Sequence, residues 1–244
     1  GNCTLASSTT SSGHTAVGHC ALKAVTSGYS NTAVGAFSGD ATTSGNSNVS
    51  MGYDSFTDNT TGDCNVAIGR TALANNTTAD NNTAVGACAL FTNTTAGNNT
   101  AIGKCALYTN VSGGANIAIG VNALRLNTAS NNLAVGHCAM NDNTSGTENS
   151  AFGFLALNNN TTANHNVALG NQSLYTNTTA PNNTAVGSCS LYSATTGGGN
   201  TAVGCGVMIN NTTGANNVAI GAASLCSNTT ACWNVAVGQG SMKT

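Results

Sequence analysis

The sequence predicts an all-β fold, a single parallel β-solenoid (β-roll) of about 14 coils with a 17-residue repeat. The phrase Asn-Thr-Ala-Ile-Gly-Lys-Cys-Ala-Leu, which starts at Asn99, returns in fourteen variants along the chain. Successive copies of its glycine are 17 residues apart, except for one step of 16 residues. A fixed short period through a whole chain is typical of repeat architectures. The glycines are Gly18, Gly35, Gly52, Gly69, Gly86, Gly103, Gly120, Gly136, Gly153, Gly170, Gly187, Gly204, Gly221 and Gly238.

Apolar residues recur in columns when each repeat is numbered 1 to 17, with the glycine at 17. Position 16 is always Val, Ile, Leu, Met or Phe, and position 14 is Thr, Val, Ile, Leu or Ser. This two-residue alternation of mostly β-branched residues indicates one strand per repeat. We expect positions 14 and 16 to face the core and positions 13, 15 and 17 to face outward. The alternative is the reverse parity, in which the alanine at position 15 fills a narrow interior.

One strand per repeat cannot bury its own apolar face, so the repeats must stack as coils of one domain over residues 1–244. A second short strand is expected at positions 3 and 4, with a bend at the glycine. The one-residue deletion near Ser130 and Asn131 should lie in a turn, where length changes are tolerated. Because the chain starts at Gly1 rather than Met and stops within a repeat, we interpret it as a processed chain or part of a longer one.

The composition excludes several classes of partner. Only 5% of the residues are charged and the net charge is -2. Nucleic acids and anionic lipids are bound through clustered Lys and Arg, so neither partner is expected. No apolar run reaches the roughly 18 residues of a membrane span, so membrane insertion is not expected. The apolar fraction of 40%, arranged in columns, favours a packed core over disorder.

Polar columns predict ladders along the coils. Position 13 is Asn in every repeat but the first, position 7 is mostly Asn, and positions 8 and 9 are almost always Thr or Ser. Stacked asparagines form amide ladders, and threonine hydroxyls bond turn carbonyls. The predicted surface ladder consists of Thr77, Thr94, Thr161, Thr178, Thr212 and Thr229 with Ala84, Ala101 and Ala118.

Ten cysteines predict disulfides. Residues in register on neighbouring coils have Cα atoms about 4.8 Å apart, which is within disulfide range. The alternative is that the cysteines serve as small apolar residues. The candidate pairs are Cys3 with Cys20, Cys88 with Cys105, Cys189 with Cys205, and Cys226 with Cys232.

No catalytic, cofactor or metal site is predicted. His19-Cys20 and His137-Cys138 lie seven repeats apart and cannot share a zinc ion. Paired carboxylates can act in glycosidases or hold calcium, and Asp63 and Asp80 share position 11 on neighbouring coils, but turn aspartates are common. We therefore expect a protein that is not an enzyme.

Asn-x-Thr/Ser sequons are frequent and would accept glycans in a secretory pathway. Glycans on every coil would crowd one another, so the amide-ladder interpretation explains the pattern without sugar. The candidate glycosylation sites are Asn59, Asn76, Asn93, Asn160, Asn177, Asn211 and Asn228.

The phrase Asn-Val-Ala-Ile-Gly at Asn65 to Gly69 and at Asn217 to Gly221 resembles the head repeats of YadA-type trimeric autotransporter adhesins. The longer phrase at Asn93 to Gly103 is similar to repeat arrays in phage and virus tail-fibre-like proteins. The resemblance covers nearly the whole chain. It implies a β-roll used as an extracellular shaft or head, often trimeric.

Three functions are therefore considered. The first is a non-enzymatic structural protein, extracellular or on a virion or cell surface, that forms a fibre, filament or tail-fibre-like shaft and self-associates head-to-tail or laterally. The second is an ice-binding (antifreeze) solenoid, because flat, uncharged Thr, Ala and Asn arrays suit an ice surface. The third is an adhesin for a host receptor or a glycan.

Overall fold

The computed structural model describes residues 1–243. The chain divides into two compact units, Gly1–Asn122 and Ala123–Thr244. The first unit contains β1 (Thr15–Val17), β2 (Thr32–Val34), β3 (Val49–Met51), β4 (Val66–Ile68), β5 (Thr83–Val85), β6 (Thr100–Ile102) and β7 (Ile117–Ile119). The second contains β8 (Leu133–Val135), β9 (Ser150–Phe152), β10 (Val167–Leu169), β11 (Thr184–Val186), β12 (Thr201–Val203), β13 (Val218–Ile220) and β14 (Val235–Val237).

The prediction of an all-β parallel solenoid with a 17-residue repeat is confirmed in both units. Within each unit, consecutive strands pair in parallel, and each strand occupies positions 14 to 16 of its repeat. Equivalent residues lie beside each other, as Val85 lies beside Ile102 in the first unit and Ala185 beside Ala202 in the second. This register satisfies the backbone of each strand between its neighbours and stacks like residues in columns.

The prediction that positions 14 and 16 face the core is wrong, and the reverse parity holds. Ala101 is fully buried, whereas Ile102 beside it is 39% exposed. The residues at position 15 are all small, alanine in every repeat but one. Ser50, the one residue other than alanine in that column, has its hydroxyl 2.7 Å from that of Ser38, which lies across the interior at position 3.

Six columns of each repeat line the interior, at positions 3, 4, 7, 10, 13 and 15. Position 4 carries the largest buried side chain, usually leucine. In the repeat that ends at Gly103, the six buried residues are Ala89, Leu90, Asn93, Ala96, Asn99 and Ala101. The core therefore combines one leucine column with small residues and two asparagine columns.

The second strand expected at positions 3 and 4 is not formed among the described residues. Leu90 at position 4 has a left-handed φ of 50°, and Cys88 at position 2 has a φ of 58°. Left-handed residues on either side of position 3 turn the backbone tightly, which an extended strand cannot do. Backbone bonds still connect this turn to the next coil, from Leu90 N to Ala106 O at 3.0 Å and from Thr92 N to Tyr108 O at 3.1 Å.

The missing residue of the short repeat lies in a turn, as predicted. The Nδ2 of Asn127 donates to the carbonyl of Ala129, two residues further on, at 2.7 Å. In the following coil the Nδ2 of Asn143 reaches Gly146, three residues further on, at 2.9 Å. The turn closes with one residue fewer while its asparagine keeps an equivalent bond.

Candidate functional site

The reversed parity places two columns of apolar and threonine side chains on the outside of the strands. We call these columns the sheet face of each unit. In the first unit it consists of Thr15, Thr32, Val49, Val66, Thr83, Thr100 and Ile117 with Val17, Val34, Met51, Ile68, Val85, Ile102 and Ile119. In the second it consists of Leu133, Ser150, Val167, Thr184, Thr201, Val218 and Val235 with Val135, Phe152, Leu169, Val186, Val203, Ile220 and Val237.

The sheet face is uncharged and regular. Neighbouring strands are about 4.8 Å apart, and positions 14 and 16 of one strand are about 6.7 Å apart. Large apolar side chains are well exposed on it, among them Met51 at 44%, Leu169 at 48% and Val235 at 69%. Single exposed apolar residues are normal in proteins, but a continuous array of them marks an interaction surface.

An asparagine ladder at position 13 lies immediately before the strand in every repeat but the first. The Oδ1 of Asn31 accepts from the backbone N–H of Asn48 at 2.9 Å and from its Nδ2 at 3.1 Å. The same Nδ2 donates to the carbonyl of Gly62 at 2.8 Å. Because these buried groups bond each other, the ladder satisfies the turn from inside the coil. The predicted amide ladder is confirmed, but it lies in the core.

A second ladder runs through position 7. The Nδ2 of Asn76 donates to Oδ1 of Asn59 at 3.1 Å, and the Nδ2 of Asn93 donates to Oδ1 of Asn76 at 3.0 Å. The sequon asparagines Asn59, Asn76, Asn93, Asn160, Asn177 and Asn211 are completely buried in this ladder. A glycan on any of these six would require the side chain to leave the core, so the folded coil disfavours them as acceptors. Asn228 is half-buried and is the exception.

The surface ladder is partly corrected. The hydroxyls of Thr77, Thr94, Thr161, Thr178 and Thr212 donate to the carbonyl at position 8 of the next coil, at 3.0 to 3.3 Å. The carbonyl of Thr229 accepts the bond from the hydroxyl of Thr212. The first five threonines are half-buried and Thr229 is exposed. Ala84, Ala101 and Ala118 are fully buried and belong to the core instead, because position 15 points inward.

No disulfide links any of the ten cysteines in the structure. Consecutive side chains at position 2 nevertheless touch, since Cys88 Sγ lies 3.2 Å from Thr71 Oγ1. Burial and the neighbouring Cys3 raise the pKa of the Cys20 thiol. The disulfides Cys3–Cys20, Cys88–Cys105, Cys189–Cys205 and Cys226–Cys232 stay predictions.

The carboxylates at position 11 have a structural role. Asp63 Oδ1 accepts from the backbone N–H of Asn46 at 2.7 Å, and Asp80 Oδ1 accepts from that of Asp63 at 2.7 Å. Each therefore bonds a backbone group of the preceding coil, and Asn164 does the same for Thr147. Within residues 1–243, no three or more His, Cys, Asp or Glu side chains are grouped to hold a metal ion.

The sheet face is thus the surface with the clearest capacity for recognition. Across the described part of the chain, no helix has the length and apolar character needed to cross a membrane. Comparison with protein-family models finds no match, and comparisons with curated proteins and with solved structures find none either.

Proposed function

We propose that this chain is a non-enzymatic structural protein, extracellular or on a virion or cell surface, whose copies associate side by side through the sheet face. The observation that carries the proposal is the exposed, uncharged and apolar sheet face of each unit. Covering apolar surface is the main favourable contribution to association, and it contributes about 25 cal/mol per Å². The resemblance to adhesin heads and tail-fibre-like repeats supports the same role.

A second copy of the chain is the partner that fits this face best. Its strands have the same spacing, so side chains at positions 14 and 16 of one copy can pack between those of another along the whole face. Identical patches facing each other also form closed symmetric oligomers readily. No charged residue lies within either sheet face, so association of two copies does not require the desolvation of a charged side chain.

The area approaches that of a stable contact. Seven strands about 4.8 Å apart and about 10 Å long give roughly 340 Å² for each unit. If both units are covered, each copy buries roughly 700 Å², compared with about 800 Å² per partner in a stable protein complex. Head-to-tail stacking through free strand edges stays a prediction.

Charges on the sheet face should dissociate the copies without unfolding the chain. We expect the wild-type chain to sediment as an oligomer and the variant Ile102→Asp, Ile119→Asp, Leu169→Asp, Ile220→Asp to sediment as a monomer. Since these residues are 37% to 48% exposed, circular dichroism should show an unchanged fold. The control places four aspartates outside the strands, at position 9 of the turn, in place of Thr78, Thr95, Thr179 and Thr196, all exposed.

The control variant is expected to sediment like the wild type. Assembly of the sheet-face variant to the same extent as the wild type would exclude the sheet face as the interface. A wild-type chain that is monomeric at all concentrations would exclude lateral association altogether.

Ice binding is the second candidate, and the threonines on the sheet face favour it. Thr83, Thr100, Thr184 and Thr201 point outward at position 14, each beside an aliphatic residue at position 16. Such a flat array of hydroxyl and methyl groups on a fixed spacing can order water. The candidate function predicts thermal hysteresis for the wild-type chain.

The bulky substitution Thr100→Tyr should remove most of that hysteresis because it breaks the flat array. Thr95→Tyr, at exposed position 9 on the turn, is the control and should leave it unchanged. A wild-type chain with no measurable hysteresis would eliminate this candidate. Hysteresis from a monomeric wild-type chain would favour it over lateral assembly.

A further inference from the structure

Two tyrosines lie face to face on consecutive coils of the second unit. Tyr175 and Tyr192 both occupy position 5, and their ring centroids are 5.2 Å apart with an angle of 17° between the ring planes. Both side chains are half-buried, so part of each ring faces solvent. No other two tyrosine rings are in contact within residues 1–243.

Hydrogen bonds beside the rings hold the two coils together. The backbone N–H of Thr176 donates to the carbonyl of Tyr192 at 3.1 Å, and its hydroxyl donates to the same oxygen at 2.8 Å. On the other side, the N–H of Leu174 donates to the carbonyl of Ser190 at 3.0 Å. The buried side chain of Leu174 anchors this segment in the core. The two phenol rings are therefore held close in the folded chain, and a tilt of the half-buried rings brings their edges together.

We infer that Tyr175 and Tyr192 form a site for oxidative phenol coupling, a covalent link between neighbouring coils. The oxidant is a peroxide acting through a haem peroxidase. Each phenol loses one electron and its hydroxyl proton, and the two radicals form a carbon–carbon bond between the ring carbons next to the hydroxyls. The hydrogens on those carbons then move to the oxygens and restore two phenols. One peroxide takes up the two electrons and two protons, and yields two waters.

The chain contains a matched pair that stacks without two phenols. Phe91 and Tyr108 occupy position 5 on consecutive coils of the first unit, with centroids 5.3 Å apart and an angle of 7°. Ring stacking therefore does not require two tyrosines, since Phe91 stacks on Tyr108. Coupling does require two phenols, and only the pair in the second unit provides them. The inference does not depend on lateral association, because both residues belong to one chain.

The test treats the folded chain with horseradish-type peroxidase and hydrogen peroxide, and digests the product. We expect dityrosine fluorescence and a peptide that joins Tyr175 to Tyr192 with the loss of two hydrogen atoms. A mixture of chains with natural and heavy nitrogen distinguishes a link within one chain from a link between chains. The expected product carries one isotope only, and its thermal unfolding midpoint is raised because a 17-residue loop is closed.

The control variant Tyr175→Phe reproduces the Phe–Tyr order of the natural pair in the first unit and should fold normally by circular dichroism. It should lose the dityrosine signal almost completely. Equal dityrosine in this variant would overturn the inference. So would links that map to Tyr29, Tyr53 or Tyr108, or products that combine both isotopes. A wild-type chain that forms no dityrosine, while a free tyrosine peptide in the same mixture does, would also overturn it.

Discussion

Replacing Gly170 with alanine is expected to lower the free energy of unfolding by about 3–5 kcal/mol. Gly170 has a φ of 140°, a conformation that L-residues rarely adopt, which confirms the predicted bend at position 17. A Cβ atom there would lie 2.6 Å from both the carbonyl oxygen and the carbonyl carbon of Gly187 on the next coil. The added methyl group therefore meets backbone atoms that cannot rotate away.

The neighbouring coils cannot separate to make room. The N–H of Gly187 donates to the carbonyl of Leu169 at 2.7 Å, and strands β10 and β11 pair just before the two glycines. Relieving the overlap would break these bonds, and a broken buried hydrogen bond costs about 1–3 kcal/mol. The strain of the φ angle and the overlap act together at this position.

Gly206→Ala is the matched control. Gly206 belongs to the same unit and also has a positive φ, of 63°, but nothing lies within 4 Å of the added Cβ. Other coils have cysteine in this column with nearly the same φ, as Cys189 does at 54°. Alanine there should cost about 1–2 kcal/mol. Urea unfolding measures the free energy of unfolding of the two variants. Equal decreases would show that the close approach of the coils is not the reason for glycine at position 17.

The sequence predicted the coil, the register and the bend because each depends on a local pattern repeated fourteen times. It did not determine which side of the strand faces inward. Alternation along a strand is equally consistent with positions 14 and 16 facing inward and with position 15 facing inward. The β-branched residues at positions 14 and 16 do not decide between these arrangements, because they fit either face of a pleated strand. The one available signal was Ser50, the single serine at position 15, which falls in a coil that also has serine at position 3. Serine recurs at position 3 in other coils, so this coincidence alone did not fix the parity. Ser38 and Ser50 are hydrogen-bonded across the interior, so position 15 must point inward.

The sheet face was missed for the same reason. Ile102 and its equivalents were assigned to the core, where an aspartate would be severely destabilising. On the outside, the same substitution tests association instead of folding. The left-handed conformation of Leu90 was also not predictable, since leucine does not favour it. It arises because a 17-residue coil must turn within a few residues while keeping the leucine column in the core.

The second large effect is expected for Asn200→Asp, which should lower the free energy of unfolding by about 3–5 kcal/mol at neutral pH. Asn200 is completely buried in the position 13 ladder. Its Nδ2 donates to the carbonyls of Gly197 at 3.1 Å and Gly214 at 2.9 Å. A carboxylate would place an acceptor against these two acceptors inside the core, and only the bonds that Oδ1 accepts from Asn217 would survive.

The decrease in the free energy of unfolding caused by Asn200→Asp should depend on pH. Burial and the facing carbonyls raise the pKa of the introduced carboxyl in the folded chain above its value of about 3.9 in the unfolded chain. The unfolded state therefore releases its proton first. Stability is highest below about pH 4 and falls by up to about 1.4 kcal/mol per pH unit as the pH rises toward the raised folded pKa. At low pH the protonated carboxyl can still donate to one of the two carbonyls.

Asn216→Asp is the control for this measurement, because Asn216 is exposed at position 12 of the next coil and a carboxylate there stays in water. Urea unfolding between pH 3 and pH 8 should show a growing difference between the wild type and the Asn200 variant, and a small, nearly constant difference for the Asn216 variant. A loss at Asn200 that does not change with pH would mean that the introduced carboxyl reaches solvent in the folded chain. The interior ladder, and with it the buried position of the sequon asparagines, would then need revision.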